Sequence, residues 1–378
     1  MTFPAVPVFD LRLHEDDVQA VLDVYRSGWL TMGPRTAEFV RAFAEHLGAR
    51  HAVAVSSCTA ALHLAYLAAG VGPGDEVIVP AMTFAATAAA VVYCGATPVF
   101  ADILGPHDLS LDPEDVARRI TPATKAVTVV HFAGYPAPVH RLRELCDAHG
   151  LALIEDAAHS PAADVDGRKL GTFGLAGAFS FFSNKVLACG EGGLLSTDDD
   201  DVAALARRLR SQGMTSGSWS RFTGETDSYD VVGLGYNYRL DEPRSALLLS
   251  RLGRLGSEVE RRRELTRAYR AKLSDVAGVG LPYADDAVAS STCYVMPVVI
   301  EDAPRRDDVR RRLKERGVQT SVFYPAVHEF TAYQARYGRP SLPHSEFIAR
   351  SEITLPLYAD MDERAQDRVV DGLAEALA

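Results

Sequence analysis

Cysteine is scarce in this 378-residue chain: there are five, and no two stand in a Cys-x-x-Cys spacing. That excludes a disulfide-stapled scaffold and a cysteine zinc site, and a reducing cytoplasm is the expected location. Positive charge is short as well, with 39 basic against 50 acidic residues and a formal charge of −11. Nucleic-acid binding requires basic surface against phosphates, so no nucleic-acid partner is expected. Residues 1–7 lack a basic region followed by an apolar one, so no signal peptide is expected. One uncharged run, residues 77–101, is long enough on paper to span a bilayer. Pro80, Gly95 and Pro98 interrupt it, and it reads as strand, loop, helix and strand in a core, with no membrane partner. Lysine is the rarest charge: only Lys125, Lys169, Lys185, Lys272 and Lys314 occur, the other 34 basic residues (39 − 5) being arginines.

What is present alternates. Apolar, β-branched segments at 51–55, 77–79, 97–100, 125–130, 151–154 and 178–182 read as strands. Helical patterns at 59–69 and 139–149 lie between them, closed by Gly70 and Gly150. Strands separated by helices of this length imply crossover units, hence an α/β fold with a doubly wound, mainly parallel sheet. Beyond about Leu240 the pattern changes to a long charged helix at 251–273, a strand at 294–300 and a helix at 307–316. The expected division is a large domain over residues 1–250 and a smaller C-terminal α+β domain over 251–378.

Three places can carry chemistry. Lys185 is the only charged residue between Gly171 and Gly190. Apolar surroundings lower a lysine's pKa and make it a usable amine nucleophile, although a lysine can also pack its stem and send its head to water. Asp156 closes the strand 151–154, at the carboxyl edge where open α/β sheets bind ligands. It could hold a metal, a ribose or a protonated ring nitrogen, or simply cap a helix. His159 lies three residues on. The segment Ser56-Ser57-Cys58-Thr59-Ala60-Ala61 stands at a strand-to-helix junction, where free N–H groups can meet an anion or where serine can serve as a plain cap. No nucleoside-triphosphate loop occurs, and Gly233-Leu234-Gly235 lacks the third glycine of a dinucleotide fingerprint. An amine of low pKa, an acid for a pyridinium nitrogen and a helix N-terminus for a phosphate together match the needs of pyridoxal phosphate.

The chain resembles the DegT–StrS family of sugar aminotransferases, which are fold-type I, pyridoxal-5′-phosphate-dependent enzymes. The resemblance runs from Trp29-Leu30-Thr31-Met32-Gly33-Pro34 to Leu355-Pro356-Leu357. It is carried in order by Ala54-Val55-Ser56-Ser57-Cys58-Thr59-Ala60-Ala61-Leu62, Gly72-Pro73-Gly74-Asp75-Glu76-Val77, Glu155-Asp156-Ala157-Ala158-His159, Phe179-Ser180-Phe181 leading to Lys185, Gly190-Glu191-Gly192-Gly193, and Gly235-Tyr236-Asn237-Tyr238-Arg239. The resemblance implies that Lys185 is the Schiff-base lysine and proton shuttle and that Asp156 partners the pyridine nitrogen. It implies that His159 touches the ring hydroxyl and that Phe84 stacks on the ring. Ser57, the backbone N–H groups of Thr59 and Ala60, and the Ser180 hydroxyl would take the phosphate. Asn237 would reach the phosphate of a neighbouring subunit, making the site a property of a homodimer. Tyr324 and His328 match a substrate-side segment, and Trp219 is a candidate gate or dimer contact. Pro243-Arg244-Ser245 departs from the alanine-rich helix of relatives. The implied reaction takes an amino group from L-glutamate or glutamine to a nucleotide-linked, dTDP-type keto-6-deoxyhexose, at carbon 4 in preference to carbon 3. Aminocyclitol aminotransferases share these motifs. Sugar dehydratases replace the lysine by histidine, and a non-catalytic binding protein would not need Lys185, Asp156 and Ser180 together.

Overall fold

Seven short valine-, alanine- and leucine-rich segments pair into one sheet in the computed structural model, which describes residues 5–378. The reading of residues 1–7 as free of a leader falls partly on residues 1–4, outside the described residues. The strands are β1 (His51–Val55), β2 (Glu76–Pro80), β3 (Thr97–Ala101), β4 (Thr124–Val130), β5 (Ala152–Asp156), β6 (Ala176–Ser180) and β7 (Gly193–Thr197). Their spatial order is β1-β7-β6-β5-β4-β2-β3. Strands β6, β5, β4, β2 and β3 run parallel, while β7 is antiparallel to both β1 and β6. This is the expected α/β class. Central positions such as Val53, Ile78, Val127, Ile154 and Leu194 are fully buried, as a sheet covered by helices on both faces requires.

The helices that position the site are α1 (Glu15–Ser27), α2 (Pro34–Leu47), α3 (Cys58–Ala68), α4 (Ala85–Tyr93) and α5 (Val139–His149). Helix α3 lies against β6, β7 and α4. Gly70 and Gly150 take φ of +72° and +65° just past the ends of α3 and α5, a conformation open to glycine at little cost. Gly193 is needed for a different reason. A Cβ there would stand 2.3 Å from the backbone carbon of Ser57, so only glycine lets the start of α3 rest on β7.

The C-terminal part corrects one expectation. Residues 251–273 do not form one helix. Helix α6 (Glu242–Leu252) ends at Gly253, and α7 (Leu255–Leu273) begins anew. Pro243 falls in the first turn of α6, where its missing N–H costs nothing, and Asp241 accepts from the Arg244 N–H at 3.2 Å as the cap. The departure from the family pattern is therefore a well-formed helix start. Beyond α7, strands β8 (Val279–Gly280), β9 (Met296–Ile300) and β10 (Glu352–Leu355) make a small antiparallel sheet. It is flanked by α8 (Arg306–Glu315) and α9 (Glu363–Leu377), which pack together. No helix among the described residues is long and apolar enough to cross a membrane.

Candidate active site

Successive residues of a strand face opposite sides of the sheet, and the end of β5 uses both. Glu155 is fully buried and accepts from the N–H groups of Gly171, Phe173 and Gly174 at 2.6 to 2.8 Å. His131 is its fourth partner, at 3.0 Å. Nδ1 of His131 accepts from the Ala137 N–H, so Nε2 carries the proton donated to Glu155. Asp156 turns the other way. Its Oδ2 accepts from Thr87 Oγ1 at 2.8 Å, and its Oδ1 from the Ala158 N–H at 3.2 Å and the Cys58 thiol at 3.8 Å. Burial raises its carboxyl above the usual range, an effect opposed by the Thr87 and Ala158 donors and by Lys185.

Lys185 lies on the loop from β6 to β7. That loop is pinned where Phe182 bridges Gly190 and where the Lys185 N–H donates to the Phe182 carbonyl at 2.9 Å. Its Nζ stands 4.3 Å from the centre of the Tyr294 ring, a cation–π arrangement. Tyr294 stacks on His159 at 4.4 Å, and His159 Nε2 meets the Tyr324 hydroxyl at 3.0 Å. Burial brings the Lys185 ammonium down to about 8, with the Asp156 carboxylate opposing the fall. Burial and the neighbouring lysine push the His159 imidazole well below its ordinary value, so it is neutral.

The third wall is the start of α3. Ser57 caps it, its Oγ accepting from the Ala60 N–H at 3.1 Å. This leaves the N–H groups of Cys58 and Thr59, both in the cavity wall, as first-turn donors without an intrahelical partner. Phe84 caps α4 and is 61% exposed, its ring centre 5.8 Å from that of Tyr324.

These groups enclose a cavity of about 390 Å³, within the range of small-molecule sites. Ser57, Thr59, Phe84, Asp156, His159, Ser180, Lys185 and Tyr324 all line it. Ala60 and His328, expected there, do not, and Asn237, expected to serve a neighbouring subunit, stands outside it as well. The Ala60 N–H is taken by the Ser57 cap. Asn237 is exposed, paired with Ser211 through the backbone. His328 is fully buried outside the lining, 3.6 Å from Glu346. Trp219 is elsewhere too, packed edge-on against Trp29 at 4.9 Å in a separate aromatic cavity.

The sequence reading missed Thr83, Thr87, Asn184 and Tyr294. For Thr87 a signal existed: it is the lone hydroxyl in the uncharged Ala85–Tyr93 stretch apart from the terminal tyrosine, four residues after Thr83. Tyr294 carried none, because only the fold brings it under Lys185.

The profile of the DegT/DnrJ/EryC1/StrS aminotransferase family matches residues 12–374. The chain belongs to this family. Among curated relatives it is 37% identical over 367 residues to the spore coat polysaccharide biosynthesis protein SpsC of Bacillus subtilis (strain 168), covering 96% of this chain and 94% of SpsC. Its structure is similar to that of the aminotransferase TlmJ from Streptoalloteichus hindustanus, with 37% identity, a TM-score of 0.91 and 98% of each chain covered. It is also similar to DesI, solved in the presence of its TDP-sugar product, with 35% identity, a TM-score of 0.88 and 99% of this chain and 93% of DesI covered. As a DegT/DnrJ/EryC1/StrS sugar aminotransferase the protein is an enzyme that depends on pyridoxal phosphate. The residues present fit that group. The cavity offers a buried carboxylate, a lysine, and a helix start brought close by Gly193. It also holds the buried His159 Nδ1 and Asn184 Oδ1, neither of which has a protein partner.

Proposed function

We propose that the protein moves an amino group from L-glutamate to the keto group of a nucleotide-linked hexose, a dTDP-4-keto-6-deoxy sugar, in the cytoplasm. The observation that carries this reading is the meeting of Lys185, Asp156 and His159 in one cavity against the open start of α3. When bound, pyridoxal phosphate supplies an electron sink and a carbonyl carbon that alternately takes up and gives up the amino group. Asp156 holds the positive ring nitrogen, since a buried carboxylate gains most from a cation beside it. Thr59, Ser57 and Ser180 would hold the phosphate at the helix start, and Phe84 would pack against the ring. Neutral His159 offers Nδ1 to the ring hydroxyl. With a pKa near 8, the Lys185 amine is part-neutral around pH 8, so Nζ can take a proton from the donor's α-carbon and return one.

The nucleotide sugar is supported by the likeness to DesI, with its TDP-sugar product. A second copy of the chain is part of the reading. Leu234 is 94% exposed, and Tyr229, Val231 and Val232 just before it in the chain are exposed too, apolar surface of the kind that marks an interface. Asn237, on the same segment, would reach the partner's phosphate. The reading also takes residues 1–250 as the cofactor-binding domain and 251–378 as the smaller one.

The visible spectrum of the purified protein tests the reading directly. With pyridoxal phosphate added, a visible band is expected that bleaches with L-glutamate and is absent in Lys185→Ala. The dTDP-4-keto-6-deoxy sugar should restore the band. Restoration by a keto-inositol or a 3-keto sugar alone would move the assignment to those substrates, and a Lys185→Ala protein that still turned over a keto-sugar would sink the reading.

A further inference from the structure

Helix α4 is built of alanine and valine except for Thr87 and Tyr93. Thr87 is fully buried, where a hydroxyl is costly unless hydrogen-bonded. Valine would match its shape without that cost. The hydroxyl has one proton, and it is directed at Asp156 Oδ2, 2.8 Å away. In its contact with Thr83 Oγ1, at 2.7 Å, Thr87 must then be the acceptor. Thr83, 1% exposed, stands one turn earlier in the approach to α4. The two hydroxyls form a one-way chain that ends on the carboxylate. The other oxygen, Oδ1, is fixed by the Ala158 N–H and the Cys58 thiol. Both oxygens are therefore tethered, and from two different sides.

We propose that Thr87, backed by Thr83, is a positioning residue for the transamination: it holds Asp156 in the one orientation from which the carboxylate meets the ring nitrogen of pyridoxal phosphate. The proposal rests on the reading of Asp156 as that nitrogen's partner. A hydroxyl donor also favours the charged carboxylate, opposing the burial that disfavours it. The titratable groups close enough to act on the carboxylate are Lys185, His131, Cys58, Tyr66 and Tyr324. A change at Thr87 alters none of them directly, so its effect is separable.

The test uses the full-length holoenzyme with Thr87→Val and Thr87→Ser. Two quantities are measured besides turnover: the dissociation constant of pyridoxal phosphate, from titration of the apoprotein, and the pH midpoint of the visible band. Losing one hydrogen bond to a charged group is expected to raise the dissociation constant about tenfold. A less firmly held proton on the ring nitrogen withdraws less charge from the lysine linkage, so the midpoint should move to higher pH in Thr87→Val. Thr87→Ser, which keeps the hydroxyl, should return both quantities close to wild type. In an Asp156→Asn background, Thr87→Val should add little, because residues that act through one another are not additive.

Unchanged binding and midpoint in Thr87→Val would overturn the proposal. So would a Thr87→Ser protein as impaired as Thr87→Val, which would show that the methyl packing matters and the hydroxyl does not. An undiminished effect in the Asp156→Asn background would do the same. If Thr87→Val does not fold, Thr83→Val breaks the same chain one link earlier and must shift both quantities in the same direction, by less. A wild-type protein that shows no band with pyridoxal phosphate removes the underlying reading; a normal wild type beside an unaltered Thr87→Val removes this inference alone.

Discussion

Lys185 is half-buried against Tyr294, with a single carboxylate, Asp156, to offset its charge. Its pKa is lowered from the ordinary 10.5 to about 8 by burial, which has a consequence for the apoprotein. Below about pH 8 the folded chain carries the ammonium in a poorly solvated place, while the unfolded chain keeps it in water. Between about 8 and 10.5 the unfolded chain binds more protons than the folded one, so stability rises with pH through that window. Lys185→Met, an apolar replacement of similar length, is expected to raise the melting temperature of the apoprotein at pH 7. That gain should shrink as the pH approaches 10.5. A gain that is flat with pH would mean that packing, and not charge, is responsible. Function and stability are opposed at this position, as is common where a buried amine must react.

Helix starts and glycine contacts decide where these side chains stand. Gly193 is on β7, yet its importance lies in α3, since a Cβ would press 2.3 Å from Ser57. Gly193→Ala should push the start of α3 off the sheet, cost about 1–3 kcal/mol in stability and weaken pyridoxal phosphate binding. Denaturant melts and a cofactor titration check both, and a stable variant with normal affinity would show that α3 can shift freely. This level also shows what could be read from the chain. The strands and the stops at Gly70 and Gly150 were legible because apolar runs and glycine punctuation are local signals. Asp156 and Ser57 were legible because each stands at a strand or helix end, and Lys185 because it is the only charge in the apolar stretch 171–190. The break at Gly253 was not, since a charged helix keeps its pattern on either side of a short interruption. Nor was Tyr294, which only the packed fold brings under Lys185, while Thr87 carried only the faint signal of a lone hydroxyl in an apolar helix. His328 and Ala60 matched a motif, but the fold buries His328 outside the cavity wall and the cap bond takes the Ala60 N–H.

For the molecule as a whole, the segment 229–234 presents a run of exposed apolar side chains, with Leu234 94% exposed. Leu234→Asp places a charge there. A wild-type dimer in sedimentation is expected to shift to monomer in this variant, with a parallel loss of turnover, because the proposed site takes Asn237 from the neighbour. A variant that stays dimeric and fully active would put the contact elsewhere.

The sheet order carries one more consequence. Strand β1 has a single neighbour, β7, which pairs His51 with Thr197. As the chain leaves the ribosome, β1 and the turn into α3 that follows it have no strand to join until the lysine loop and β7 have been made. The earliest-synthesised part of the cavity thus waits on a strand made about 140 residues later, and the arrival of Lys185 and the docking of α3 are completed by the same stretch of translation.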